Sequence, residues 1–201
     1  MSYACRRIVA TYMLVGGTLL LATGLAVAAP LEASAVVFEL DPARSHIEFT
    51  LSARLHTIHG TFRVKRGHLH LHPASGIVSG ECVVDATSGN SGNHSRDRKM
   101  HKEVLASDRY PEIVFSPVQV QGRVALQGES TIDVDGTFTI YGSSHPITTT
   151  AVVRVQGETF TFSTHFLIPY VEWGMKDPST FILTVDKQVD ITFRAVGRLV
   201  R

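Results

Sequence analysis

The chain has 201 residues, 44% hydrophobic and 18% charged, which suits a globular protein with one sizeable core and leaves too little length for two large domains. Its 19 basic and 18 acidic residues give a formal net charge of +1 with no basic stripe, so the electrostatic footprint of a nucleic-acid-binding surface is excluded. No nucleophile elbow, phosphate-binding glycine loop, CxxC pair or HExxH occurs in it.

The first segment differs from the rest. Arg6 and Arg7 precede an uncharged run from Ile8 to Val27, which predicts an export signal over residues 1–28 and delivery to the periplasm or beyond. Ala26-Val27-Ala28 offers a small-x-small cleavage site and Ala33-Ser34-Ala35 a second. The run is also as long as a spanning helix, so a retained anchor is the alternative to cleavage. Cleavage would remove Cys5 and leave Cys82 alone, with no internal disulfide. Cys82, in GECVVD, reads as a small apolar core residue ahead of a nucleophile.

From Val36 onward the dominant signal is alternation. Ile47, Phe49, Leu51, Ala53 and Leu55 share one parity against His46, Glu48, Thr50, Ser52 and Arg54, which is a strand with one wet face. Further strands are predicted over 36–40, 61–72, 77–84, 113–120, 132–140, 147–156, 159–168 and 189–195. The turn residues between them and the scarcity of helix favour an antiparallel barrel or sandwich. In GHLHLHP, residues 67–73, either the histidines or the leucines face inward. Leucines inward needs a phase change near Arg66-Gly67, and it leaves His68, His70 and His72 on the outer face. A metal site built from His68 and His70, with His56 or His59 supplied by a neighbouring strand, is the competing reading.

Two stretches break the rhythm. Met100 with Val104, and His101 with Leu105, predict a short helix over 95–105, where Asp97 and His101 stand four apart as an acid/base couple or a simple helix pair. In PYVEWGMKDPST, residues 169–180, Tyr170, Trp173 and Met175 lie on a Gly/Pro/Asp-rich loop. This reads equally as a lid over a cavity or as a loop tucked onto the core by its tryptophan.

Several motifs, in order, resemble the YceI-like polyisoprenoid-binding family. They are FELDPARSHIEFTL (38–51, with Asp41, Ser45 and Phe49), HGTF with the later Gly67, and SRDRKMHKEVLASDRYPEIVF (95–115). GTFTIYGSSHPI (136–147), WGM (173–175) and the closing VDKQVDITFRAVG follow. The likeness spans most of 36–198. It departs from the family pattern where Ala53 or Arg54, and Lys99, stand at positions the family often gives to histidine. The resemblance implies an all-β chain: one antiparallel lipocalin-like β-barrel over 36–201 with one short helix, preceded by the signal segment. It also implies a long isoprenoid lipid, a polyprenyl or quinone tail, held inside.

Inward parity nominates Phe49, Leu51, Phe62, Leu69 and Leu71 for the pocket wall, with Phe115, Phe138 and Ile140 beside them. Phe160, Phe162, Phe166, Ile191 and Phe193 complete the strand set, and Trp173 and Met175 are added from the loop. Arg96 and Tyr170 are nominated for the mouth or a head-group contact. Ten phenylalanines would equally fill a solid core, and alternation does not separate a hollow barrel from a filled one. The expected function is a non-enzymatic exported lipid carrier, without cofactor or nucleic acid, placed near a membrane and open to forming a homodimer. A metal-dependent hydrolase using the strand histidines and a solid structural or stress-related barrel are the alternatives.

Overall fold

The structure, a computed structural model, describes residues 35–54, 56–180 and 184–200; the signal segment predicted over 1–28 lies outside them. The alternation becomes nine antiparallel strands. They are β1 (Val36–Leu40), β2 (His46–Ala53), β3 (His56–Leu71), β4 (Val78–Asn90), β5 (Glu112–Gln121), β6 (Gly128–Ile140), β7 (Ser143–Gln156), β8 (Thr159–Ile168) and β9 (Val189–Val200). From β2 to β9 each strand pairs with the next, and β9 returns to β2, so the sheet closes as a barrel without a free edge.

Nine strands fill eight positions of the ring, because β1 and β2 both lie between β3 and β9. β1 covers His68–Leu71 and Gly197–Val200, while β2 covers His56–Phe62 and Asp190–Arg194. The break between them is the corner DPARS, residues 41–45. Its centre is the buried Ser45, whose hydroxyl donates to the Asp41 carbonyl at 2.8 Å and accepts the Val196 N–H at 3.2 Å. The Asp41 N–H reaches the Val196 carbonyl at 2.8 Å, and its carboxylate accepts the Ala43 N–H at 3.0 Å.

The phase change on β3 is present, one step earlier than expected. Val64 and Gly67 both face inward; Val64 pairs with Val84 and Arg66 with Val83, so Lys65 is the extra residue of a bulge. Lys65 and Arg66 both point outward, reaching Glu112 at 2.7 and 3.1 Å, and Arg66 also reaches Glu81 at 3.0 Å. Gly67 serves another purpose: a Cβ there would lie 2.8 Å from Cδ2 of Leu40, which packs directly over it. β3 also begins earlier than the sequence suggested, so His56 and His59 belong to the same strand as His68 and His70 and not to a neighbouring one.

The connections at the two ends of the barrel are unlike. One end carries only short loops, the start of β1 and the end of β9, and Val36, Leu71, Val155 and Leu199 are buried there. The other end carries the long insertions. Between β4 and β5 runs α1 (His94–Lys99), capped by the Asn93 side chain, which accepts the Ser95 and Arg96 N–H groups at 3.1 Å. It continues into one π-helical turn, Met100–Val104, closed by the Leu105 N–H on the Met100 carbonyl at 2.9 Å. Between β8 and β9, the loop starting at Pro169 folds back at the same end and is tied down by the Asp186 N–H on the Ser52 carbonyl at 2.9 Å.

Candidate ligand-binding cavity

A cavity of about 720 Å³ runs the length of the barrel, from Leu71 and Val124 near the closed end to Ser95 and Lys99 beside α1. Its wall is made by the inward side chains of the strands. All thirteen strand residues nominated from parity line it: Phe49, Leu51, Phe62, Leu69, Leu71, Phe115, Phe138, Ile140, Phe160, Phe162, Phe166, Ile191 and Phe193. Met175 and Tyr170 reach it from the β8–β9 loop and Arg96 from α1.

Trp173 does not line it. Its indole stacks flat on the His145 imidazole, with ring centroids 4.2 Å apart and planes 2° from parallel, and it touches Phe138 at 5.9 Å from behind. The tryptophan fastens the loop to the β6–β7 hairpin, and Tyr170 and Met175 are the residues that cover the lumen. The Tyr170 hydroxyl donates its proton to the Asp186 carbonyl at 2.7 Å within its own loop, which leaves it only an acceptor for a ligand's head group. Burial, aided by Asp177 and Asp186, pushes its phenol up to about 12.

The barrel stays hollow because its phenylalanines lie against glycines of the sheet. A methyl group placed on Gly136 would sit 2.6 Å from the Phe115 ring, on Gly197 2.5 Å from Phe160, and on Gly89 2.6 Å from Phe62; Phe49 covers Gly60 in the same way. Each ring occupies wall thickness that the glycine leaves vacant, so aromatic bulk does not fill the centre. Neighbouring rings then meet edge to face or tilted along the wall, Phe49 with Phe62 at 5.5 Å and Phe162 with Phe193 at 5.9 Å.

Polar groups are sparse in the lumen and already satisfied. Thr149 and Thr164, missed in the sequence although they share the inward parity of Ala151 and Phe162, are buried and hydrogen-bonded to each other. Thr164 donates onward to the Thr150 carbonyl at 2.8 Å, so Thr149 is the donor between the two hydroxyls. Cys82 also lines the cavity, and burial pushes its thiol up to about 12, which removes the thiolate needed of a nucleophile at neutral pH.

Polar lining is concentrated at the mouth, where His56, Ser91, Asn93, Ser95, Arg96 and Lys99 edge the cavity. Arg96 holds the loop before α1, donating from Nε to the Ser91 hydroxyl at 2.7 Å and from Nη2 to the Ser91 carbonyl at 2.8 Å. Lys99 crosses to the Pro178 carbonyl at 3.1 Å and Lys176 returns to Glu103 at 2.6 Å, so α1 and the β8–β9 loop are strapped together over the mouth.

The remaining histidine readings come apart. His68, His70 and His72 are exposed, and Leu69 and Leu71 point into the barrel. His56 and His59 lie on the same strand as His68, at least nine residues away, or on the order of 30 Å along it. They are therefore unable to complete a site with His68 and His70, and among the described residues no three His, Cys, Asp or Glu side chains gather as a metal site. His59 instead bonds the Thr50 hydroxyl at 3.1 Å.

Asp97 and His101 do not form a hydrogen-bonded couple. The His101 Nε2–H donates to the Gly89 carbonyl at 2.9 Å, and its Nδ1 accepts from the Ser107 hydroxyl at 3.2 Å. Asp97 accepts the Ser91 N–H at 2.9 Å together with the Ser91 hydroxyl; partial burial opposes its ionisation, yet these bonds hold the carboxyl below its usual range.

Comparison with known proteins agrees with this architecture. The YceI-like domain matches residues 38–197. The chain belongs to the YceI-like family. It is 30% identical over 191 residues to a UPF0312 protein of Pseudomonas syringae pv. tomato, covering 90% of this chain and 94% of that one. Two solved structures superpose on it. A polyisoprenoid-binding domain from Saccharophagus degradans implicated in plant cell wall breakdown does so with a TM-score of 0.63 at 17% identity, covering 81% of this chain and 98% of that one. BcnA from Burkholderia cenocepacia does so with a TM-score of 0.64 at 20% identity, covering 78% and 98%. At those identities the likeness establishes the barrel, and the cavity of this YceI-like chain stands on its own residues.

Proposed function

We propose that this YceI-like protein binds one long isoprenoid lipid, a polyprenyl or quinone tail, in the barrel as a carrier without chemistry of its own. The observation that carries this reading is the elongated cavity of about 720 Å³, whose strand wall is apolar apart from His56 at the start of β3 and whose only strand hydroxyls among the described residues are hydrogen-bonded to each other and to the backbone. Such a wall takes up hydrocarbon at about 25 cal/mol per Å² removed from water and offers nothing to orient a polar substrate for reaction. The polyisoprenoid-binding relative from Saccharophagus degradans supports the same ligand class. The uncharged run Ile8–Val27 after Arg6 and Arg7 supports export, so the carrier works in the periplasm or outside the cell, close to the membrane that supplies its ligand.

Native mass spectrometry of protein purified from its own membrane-rich lysate tests the reading: a bound species with the mass of a polyprenyl or quinone lipid is expected. Uniformly lipid-free protein that also shows no saturable uptake of geranylgeraniol would refute it.

A further inference from the structure

The charges that edge the cavity are of one sign. Arg96 and Lys99 are the only Arg, Lys, Asp or Glu side chains that line it among those described; the His56 imidazole, Ser91, Asn93 and Ser95 line it too, and no carboxylate does. Neither cation forms an ion pair among the described residues: Arg96 is held by the Ser91 hydroxyl and carbonyl, and Lys99 by the Pro178 carbonyl. The acids of the same segment direct their bonds elsewhere, Asp97 to Ser91 and Glu103 to the Lys176 ammonium; Asp97 feels the charge of Arg96 and Glu103 that of Lys99, but neither carboxylate lines the cavity. Both basic side chains are half-buried, so a charge opposite them is screened less than on open surface.

We infer that the lipid's polar end is an anionic oxygen group, a phosphate or carboxylate seated between Arg96 and Lys99, and not a neutral alcohol or quinone ring. This rests on the proposed tail-in-barrel binding and extends it to the class of head group. The tail supplies affinity along the wall, and the two cations choose among lipids with equal tails.

Paired probes test it on the full chain stripped of lipid: geranylgeranyl monophosphate against geranylgeraniol, and palmitate against hexadecanol. The expected result is binding of the anion at least about tenfold tighter than its neutral partner. Lys99→Gln and Arg96→Gln should each erode that preference, bringing the ratio of anion to alcohol affinity towards one, and urea unfolding of each variant shows that it remains folded. A preference in the phosphate pair alone supports a polyprenyl phosphate. A preference in the palmitate pair alone supports the anionic head and overturns the isoprenoid tail. Equal binding of anion and alcohol by the wild-type protein overturns this inference and leaves the proposed function standing. Binding of none of the four overturns the proposed function itself.

Discussion

Replacing Gly89 by alanine should narrow the cavity without destabilising the barrel. The new methyl group would lie 2.6 Å from Cε1 of Phe62, 2.7 Å from Cε of Met100 and 2.9 Å from Cζ of Phe62, and no backbone atom is among these nearest three. Ordinary carbon contacts are about 3.5 to 4.0 Å, so the ring and the thioether must each retreat by about 1 Å. Both side chains line the cavity, so the space they take is space the ligand holds. Loss of room for one or two methylenes, at about 0.8 kcal/mol each, weakens binding roughly four- to fifteen-fold. Folding changes little: the more restricted unfolded chain contributes about 0.4 to 1 kcal/mol, offset by a side-chain shift of similar cost. Titration with geranylgeraniol alongside urea unfolding reads both quantities. Unchanged affinity with a stability loss above about 2 kcal/mol would refute the reasoning, since that is how an overpacked solid core behaves.

Ser45→Ala removes the hydroxyl that joins the two halves of the broken strand, leaving the Val196 N–H and the Asp41 carbonyl without it; urea unfolding should show a loss of about 1 to 3 kcal/mol, and an unmoved midpoint would contradict the role given to the corner. Replacing Thr149 and Thr164 together by valine removes both ends of a satisfied pair, so stability should stay within about 1 kcal/mol and geranylgeraniol affinity should hold or rise, whereas Thr164→Val alone should be the more destabilising change. The folded Cys82 thiol and Tyr170 phenol titrate near 12, above their ordinary values of 9.0 and 10.0, so the stability they contribute is complete below pH 9 and declines as pH rises from there towards 12. Urea midpoints at pH 8 and pH 10.5 should differ more for the wild-type protein than for a Cys82→Ala, Tyr170→Phe variant; equal slopes would overturn the assignment.

Much of the barrel was legible because a strand with one wet face alternates, and Phe160, Phe162 and Phe166 against Thr161, Ser163 and His165 carry that pattern in one short stretch. The inward leucines of β3 followed from the same rule, but the position of the bulge did not, since Gly67 drew attention to itself while the extra residue was its neighbour but one, Lys65. Whether the lumen was empty was illegible for a different reason. Phe115 and Gly136, or Phe160 and Gly197, are partners only once the strands are in register, and a linear sequence does not state which glycine lies beneath which ring. The mouth was half seen. Arg96 comes from the family resemblance of the segment that opens with SRDRK, while Lys99 and Ser91 become visible as mouth residues only when α1 is laid against the loop at Pro178. Trp173 was misplaced because an aromatic on a loop suggests a cover, and its flat contact with His145 depends on a hairpin whose tip lies some thirty residues away in the chain.

The split strand that opens the barrel also sets where the chain can be held. Residue 35 enters and Val200 leaves at the closed floor, and β9, with its 12 residues, separates that floor from the mouth by on the order of 30 Å. A bead or a fusion partner joined behind Val200 is therefore held from the floor, the end opposite α1 and the Lys99 strap. Protein captured by its C-terminus should exchange ligand with vesicles in free solution as readily as the untethered barrel does.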